Sequence, residues 1–272
     1  MMDWTSKGRM TAAGKGLEYA CFGPAPEKES PVIVMLHEGL GSSGLWRDVP
    51  QKISDATGLG VITYSRAGYG FSDPATLPRP LDYMTREAVD VLPDVLNEIG
   101  AKRVILLGHS DGATIAAEYA GRVSDMRVRG LILIAPHFFT EPMGLAEIAA
   151  AKVAFETTDL PAKMAKHHAD AEATFRGWNE AWLAPGFVDW HVGEAIDHWR
   201  IPCLALQGAQ DQYGTLAQIR EIESRAYVPV ETCIIEGARH APHLEAQDET
   251  LAAIADFCAR LVRIESEVVV PA

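Results

Sequence analysis

The stretch VILLGHSDGATIAAEYA, residues 104–120, decides the fold because it joins an apolar run to a helix-periodic segment through Gly-His-Ser-Asp-Gly. Residues typical of a buried strand stop at Gly108, and residues typical of a helix start at about Asp111. Gly-x-Ser-x-Gly between a strand and a helix predicts a tight turn that lifts Ser110 above the sheet. The flanking residues are glycines because the neighbours of so sharp a turn must be small. This placement predicts a serine nucleophile at a helix N-terminus.

Five further apolar runs are typical of strands that are buried on both faces. They are PVIVMLH (31–37), GVITYSR (60–66), VRGLILIAP (128–136), IPCLALQG (201–208) and ETCIIEG (231–237). Periodicity predicts helices over about 81–100, 111–123, 215–226 and 244–263, the first ending at Gly100. The pattern predicts an α/β fold, with a mostly parallel central sheet and helices on both faces. The final residues, ESEVVVPA (265–272), predict a loose tail or a late edge strand.

The interval 137–200 breaks this alternation, because it contains helical stretches and no convincing strand. It predicts a helical cap, or lid, inserted between two late strands. Residues 1–136 and 201–272 then form the core domain. The interval also holds four of the six tryptophans. The candidates for lining a pocket are Glu38, His137, Trp178, Trp182 and His243.

Two further residues complete a predicted catalytic triad with Ser110, and each lies on a loop after a predicted strand. Asp211 lies in LALQGAQDQYGT, and His240 lies in CIIEGARHAPHLE. A serine needs a base to take its proton, and the base needs an acid to hold its tautomer. The chain order of serine, acid and histidine is the order typical of this kind of elbow.

The segments LHEGLGSSGLW, YSRAGYGFSDP, GHSDGA, GAQDQYG and GARHAPHLE resemble those of the α/β-hydrolase superfamily, over nearly the whole chain. The resemblance implies Ser110 as nucleophile, Asp211 as acid and His240 as base. The superfamily's His-x-Pro-x-x-Glu pattern begins at His240, which favours it over the rival His243.

The resemblance also implies an oxyanion hole formed by the backbone N–H groups of Gly39 and Asp111, with Leu40 as the alternative to Gly39. The loop reads His37-Glu38-Gly39, so Glu38 stands where the superfamily has glycine. Glu38 and Asp111 both adjoin an oxyanion donor. They suggest the hypothesis that the site disfavours anionic acyl groups, because like charges repel strongly at low dielectric.

The resemblance implies a serine hydrolase that cleaves a small carboxylic ester, thioester or lactone through an acyl-enzyme, without a cofactor. Haloalkane dehalogenases and epoxide hydrolases resemble this fold but carry aspartate as nucleophile. One alternative is a carbon–carbon bond hydrolase of the meta-cleavage-product type, whose oxyanion loop typically has a proline that is absent here. Another is a non-catalytic ligand receptor on the same fold, although all three triad residues are present.

Composition narrows the partners of this 272-residue chain. Its net charge of −13 argues against binding to nucleic acid or to anionic membranes, because clustered Lys and Arg side chains bind both. No apolar run could span a bilayer and no signal peptide is visible, so a cytoplasmic protein is expected. The four cysteines form no C-x-x-C pair, and no metal site is expected. A small-molecule substrate is the expected partner, and the sequence leaves open whether the chain forms a homo-oligomer.

Overall fold

The computed structural model describes residues 3–26 and 30–267. Its strands are β1 (Gly8–Ala12), β2 (Lys15–Phe22), β3 (Val32–Leu36), β4 (Gly60–Tyr64), β5 (Val104–His109), β6 (Val128–Ile134), β7 (Cys203–Gly208) and β8 (Val230–Ile235). They form one sheet in the order β1-β2-β4-β3-β5-β6-β7-β8. The pairs β1–β2 and β2–β4 are antiparallel and all the others are parallel. The six apolar runs are the six mutually parallel strands, so the predicted sheet is confirmed.

The two antiparallel strands at the N-terminus were not among the predicted elements. They form a hairpin whose turn residues, Ala13 and Gly14, have φ values of 47° and 71°. Two positive φ values in a two-residue turn give the hairpin the twist that its strands need. Burial alternates along β1, so only every second residue is apolar and buried. This edge therefore lacks the continuous apolar signal of the inner strands.

The described residues form ten α-helices. They are α1 (Val49–Thr57), α2 (Tyr83–Arg86), α3 (Leu92–Ile99), α4 (Asp111–Arg122), α5 (Pro142–Thr157), α6 (Leu160–Met164), α7 (Ala171–Trp182), α8 (Ala217–Arg225), α9 (Pro242–Glu245) and α10 (Gln247–Glu267). The predicted helix over 81–100 is interrupted by a π-helical turn at Glu87–Val91, just before Pro93, whose missing N–H disturbs the ladder. It ends at Gly100 (φ 70°) as predicted. Residues 265–267 belong to α10, and residues 268–272 of the predicted tail lie outside the described residues.

The sheet is covered on both faces, as its continuous apolar strands require. Val34 enters a core with side chains of α3 and α4. Its neighbours Ile33 and Met35 point the other way, into a core formed with α1 and α10. The α/β fold class is therefore confirmed. None of the described helices has both the length and the apolar character needed to cross a membrane.

Between β6 and β7 the described chain is helical. It contains α5, α6, α7 and two 3-10 turns, Pro185–Asp189 and Gly193–His198, and its one β-type contact is an isolated bridge from Phe139 to His191. Phe175 and Trp199 of this segment belong to the same apolar core as β3 and β5. The division into a core domain and a cap at 137–200 therefore stays a proposal, because the packing between the two parts is continuous.

Candidate active site

Ser110 stands between the end of β5 and the start of α4, with φ 54° and ψ −120°. A non-glycine residue is rarely found at such a φ. Its N–H donates to the carbonyl of Ile134 at 2.9 Å, and its own carbonyl accepts from the amides of Ala113 and Thr114. Strain of this kind persists only where the surrounding structure enforces it. The sharp turn predicted from the sequence is present.

The two glycines of the turn are required by close backbone approach. A Cβ on Gly108 would lie 2.2 Å from the carbonyl oxygen of Gly112. A Cβ on Gly112 would lie 2.0 Å from the carbonyl oxygen of Leu36. Both distances are far below van der Waals contact with atoms that cannot move aside. Helix α4 can therefore start against β3 and β5 only with glycine at both positions.

The three residues of the predicted triad form one continuous hydrogen-bonded chain. The Oγ of Ser110 lies 2.9 Å from the Nε2 of His240. The Nδ1 of His240 lies 2.9 Å from both carboxylate oxygens of Asp211. Since the carboxylate can only accept, Nδ1 carries the hydrogen, and Nε2 is left to accept the serine proton.

Asp211 is held on the loop after β7 by bonds other than the one to His240. Its Oδ1 accepts from the amide of Tyr213 at 2.8 Å, and its Oδ2 accepts from the side-chain amide of Gln207 at 3.4 Å. Burial would raise the pKa of Asp211, but the hydrogen bond and the charge of His240 outweigh it, so the pKa is lowered. The carboxylate is thus ionised and oriented at neutral pH.

The loop after β3 is fixed by Arg66, a buried arginine that follows β4. Its guanidinium donates to the carbonyls of both His37 and Glu38. The Nδ1 of His37 donates to the Glu38 carbonyl at 2.7 Å, while its Nε2 accepts from the Arg66 amide at 3.1 Å. Burial and the nearby Arg66 charge hold the pKa of His37 well below its usual value. His37 is therefore neutral, and it connects the loop after β3 to the start of the loop after β4.

Gly39 lies against the indole of Trp178, where a Cβ would come within 2.1 Å of the indole nitrogen. Glycine at this position lets the α7 tryptophan approach the backbone of the loop. Among the described residues, no hydrogen-bond partner occupies the amide of Gly39 or that of Asp111. Both residues line the same cavity as Ser110. Two free amides beside a nucleophile could serve as oxyanion donors.

The carboxylate of Asp111 is buried and has two compensating neighbours. It accepts a hydrogen bond from the hydroxyl of Tyr83, and its Oδ2 lies 4.0 Å from the Arg66 guanidinium. Tyr83 in turn accepts from the indole of Trp182 at 2.9 Å. Burial raises the pKa of Asp111, and Arg66 and Tyr83 offset only part of that rise. The repulsion of anionic acyl groups that the sequence predicted for Asp111 is therefore weakened. Tyr83, which the sequence did not single out, is the residue that turns this carboxylate away from solvent.

A cavity of about 100 Å³ opens beside Ser110. Its lining consists of Glu38, Gly39, Leu40, Ser110, Asp111, His137, Ile148, Trp178, Trp182, Tyr213 and His240. The predicted lining residues Glu38, His137, Trp178 and Trp182 are all in this wall. Ile148 and Tyr213 were not predicted, although Tyr213 lies only two residues after the predicted acid, and Leu40 was predicted only as an alternative oxyanion donor.

His137 and His243 have different places around the site. The His137 ring lies 5.6 Å from the His240 ring, and burial, with the nearby His240 charge, lowers its pKa to about 3. His243 is not among the residues that line the cavity. It is buried behind His240, with its ring 4.5 Å from His109 and 5.1 Å from Trp46. The prediction that His243 lines the pocket is therefore wrong. Pro242 starts α9 one residue earlier, and the helix places the His243 ring against Trp46.

The described residues contain no group of three or more His, Cys, Asp or Glu side chains placed to hold a metal ion. A sheet of this topology with a strained serine at the end of a central parallel strand is typical of the α/β hydrolases. The model of the alpha/beta hydrolase family matches residues 33–254, so the chain belongs to this family. It is therefore an enzyme of the alpha/beta hydrolase class.

Two curated relatives differ in how much of each chain they match. Epoxide hydrolase 3 of Xenopus tropicalis is 23% identical over 92% of this chain and 76% of its own length. The (lyso)-N-acylphosphatidylethanolamine lipase of Bos taurus is 33% identical, but over only 42% of this chain and 33% of its own length. Both names denote hydrolases, in agreement with the family.

Solved structures match over nearly the whole chain. Proline iminopeptidase of Mycobacterium smegmatis has a TM-score of 0.75 at 20% identity, covering 95% of this chain and 99% of its own. The enol-lactonase of Burkholderia xenovorans has a TM-score of 0.70 at 18% identity, covering 93% and 100%. At these identities the similarity shows the shared fold alone.

Proposed function

We propose that this protein is a serine hydrolase that cleaves a small carboxylic ester, thioester or lactone through an acyl-enzyme. The observation that supports this most is the chain of contacts from Asp211 through His240 to Ser110, with 2.9 Å at each step. These distances are within the hydrogen-bonding range that a base needs to activate a serine. The proposed partner is a small-molecule substrate. A cytoplasmic location and self-association stay predictions.

In the first half of the proposed reaction, the Oγ of Ser110 attacks the substrate carbonyl while His240 Nε2 takes the serine proton. Asp211 stabilises the imidazolium that forms, and it keeps the ring in the required tautomer. The amides of Gly39 and Asp111 donate to the oxygen that gains negative charge, where such donors are worth more than in the ground state. His240 then gives its proton to the leaving group, and the acyl group remains on Ser110.

In the second half, water takes the place of the leaving group. His240 removes a proton from the water, and the resulting hydroxide attacks the acyl carbonyl. The same two amides stabilise the second oxyanion. Collapse of this intermediate breaks the bond to Ser110, whose oxygen recovers its proton from His240. The acid leaves, and the triad returns to its starting state.

The size of the cavity favours a short acyl group. Its volume of about 100 Å³ is well below the several hundred Å³ typical of pockets for larger ligands. Ile148 of α5 forms part of the wall, whereas Val153 of the same helix is exposed. Acetyl esters should therefore be preferred over hexanoyl esters. Ile148→Ala should reduce that preference and the control Val153→Ala should not.

The relatives differ in the chemistry that their names state, since one is called an epoxide hydrolase and another a lipase. Opening an epoxide through an ester intermediate uses a carboxylate nucleophile, and the turn of this chain carries Ser110 instead. We therefore favour acyl transfer over epoxide opening. Parallel assays with a styrene oxide and with phenyl acetate distinguish the two reactions.

A fluorophosphonate probe tests the proposal directly, because it reacts with a serine only when a base activates that serine. Wild-type protein should be labelled at Ser110, Ser110→Ala should not be, and Ser224→Ala, which changes an exposed serine, should react like wild type. Unlabelled wild-type protein would favour the ligand-receptor alternative. Labelling without activity on esters, thioesters or lactones, but with cleavage of a vinylogous diketone, would favour carbon–carbon hydrolysis.

A further inference from the structure

His109, the residue just before the nucleophile, connects the loop of the base with the oxyanion loop. Its Nε2 lies 2.8 Å from the carbonyl oxygen of His240. Its Nδ1 lies 3.7 Å from the Oε2 of Glu38. Only 3% of His109 is exposed, whereas 32% of the Glu38 side chain is exposed. One buried imidazole therefore contacts the residue beside an oxyanion donor and the residue that serves as base.

The chemistry of these contacts fixes where the hydrogens lie. A carbonyl oxygen only accepts, so His109 Nε2–H is the donor to His240. The other nitrogen, Nδ1, is buried and has no hydrogen-bond partner among the described residues. At 3.7 Å the Glu38 carboxylate is too far from Nδ1 for a hydrogen bond, but it is close enough for an electrostatic interaction.

The surroundings of Glu38 are built to accept its side chain. The carboxylate lies over Gly41, where a Cβ would come within 2.3 Å of Oε2. Burial would raise the pKa of Glu38, but the interaction with His109 outweighs it, so the pKa is lowered. The Glu38 carboxylate thus has its own space over Gly41 and its own neighbour in His109.

We infer that Glu38 and His109 form a positioning pair for His240, an inference that rests on the proposed function. Asp211 orients the ring of His240 from one side, while His109 holds its backbone carbonyl from the other. Because Glu38 adjoins Gly39, the pair also ties the base to an oxyanion donor. The ionisable groups near His109 are Glu38 from the loop after β3, His240 and His243 from the segment after β8, and His137 from the segment after β6. The charge of Arg47 acts on His243.

Two substitutions of His109 separate positioning from packing. Gln can place its amide nitrogen near the position of Nε2 and donate to the His240 carbonyl, whereas Asn is too short. With p-nitrophenyl acetate, His109→Asn should lower kcat by about 10- to 100-fold at nearly constant KM, since small displacements of a catalytic group have effects of this size. His109→Gln should recover kcat to within about fivefold of wild type. The control is His167→Asn, at an exposed histidine.

The contribution of Glu38 is measured by a double-mutant cycle. Glu38→Gln should lower kcat by about threefold or more, and it should cause a smaller loss in the His109→Asn background, because the charge acts through His109. Equal losses in both backgrounds would overturn the pair. If His109→Asn does not fold, as shown by thermal unfolding, Glu38→Gln alone carries the test and an unchanged kcat refutes the inference.

The rate of fluorophosphonate labelling separates this inference from the proposed function. If wild-type protein does not react, the proposed function fails and the inference fails with it. If wild-type protein reacts and His109→Asn reacts as fast, the inference alone is overturned. Slow labelling of His109→Asn together with rapid labelling of His109→Gln supports both.

Discussion

Replacing Asp211 by asparagine removes one negative charge and leaves the size of the side chain almost unchanged. In the proposed reaction His240 becomes an imidazolium, whose Nδ1 lies 2.9 Å from the carboxylate. Two unit charges at this distance attract by about 6 kcal/mol at an effective dielectric constant of about 20. Each 1.36 kcal/mol corresponds to a factor of ten in rate, so kcat should fall by about 10⁴-fold.

The hydrogen bonds of Asp211 predict which way the new amide turns. Its Oδ1 accepts from the Tyr213 amide at 2.8 Å, the shortest of its three remaining bonds, and also from the Gly214 amide, so the asparagine oxygen should stay there. The NH₂ group then takes the position of Oδ2 and faces His240 Nδ1. Since Nδ1 lies 2.9 Å from both positions, this NH₂ group competes with the amide oxygen for Nδ1 and makes accessible the tautomer in which Nε2 carries the hydrogen and cannot accept from Ser110.

The assay is kcat and KM for phenyl acetate, with thermal unfolding measured on the same samples. Asp197→Asn is the matched control, because Asp197 pairs with Arg225 on the surface and does not line the cavity. It should leave kcat unchanged. A folded Asp211→Asn enzyme that keeps more than a tenth of the wild-type kcat would refute the electrostatic role of Asp211.

Three other expectations follow from the same site. His240→Ala should lower kcat by about 10⁴-fold and His243→Ala by less than about tenfold, and the reverse order would overturn the choice of base. His137 has a pKa of about 3 when folded and about 6.5 when unfolded, so below pH 6.5 the unfolded chain binds a proton that the folded chain does not. The free energy of unfolding should therefore fall by up to about 1.4 kcal/mol per pH unit between pH 6.5 and pH 3, and the fall should be smaller in His137→Gln when both are denatured with urea. Esters with a neutral acyl chain should react faster than matched anionic esters, and Glu38→Gln should reduce the difference; faster reaction of the anionic ester would contradict this.

The sheet could be predicted because each inner strand is buried on both faces, which produces an apolar run in the sequence. The N-terminal hairpin could not be predicted in this way, since β1 lies at an edge and buries only alternate residues. The π-helical turn at Glu87–Val91 was also missed, although Pro93 indicated a disturbance. Continuous apolar runs therefore identified the inner strands but not the edge hairpin, whose burial alternates.

The triad residues could be found because each lies on a loop directly after a strand, and parallel strands bring such loops to one edge of the sheet. The contacts that surround the triad had no comparable signal. Tyr83 reaches Asp111 across 28 positions, and His109 reaches the His240 carbonyl across 131. Such contacts depend on how helices and loops pack on the sheet, which the spacing of residues in the sequence does not specify.

Two carboxylates beside a developing oxyanion would oppose the proposed reaction unless each had a compensating partner. Asp111 has the Tyr83 hydroxyl and the Arg66 guanidinium, and all three side chains are buried. Among the described residues, no arginine lies at hydrogen-bond distance from the Glu38 carboxylate, whereas the imidazole of His109 approaches it to 3.7 Å. Without His109, the carboxylate keeps the more distant charge of Arg66 and partial exposure to solvent as compensation. The loss from removing His109 is therefore expected to fall mainly on the position of His240, whose backbone carbonyl His109 contacts at 2.8 Å.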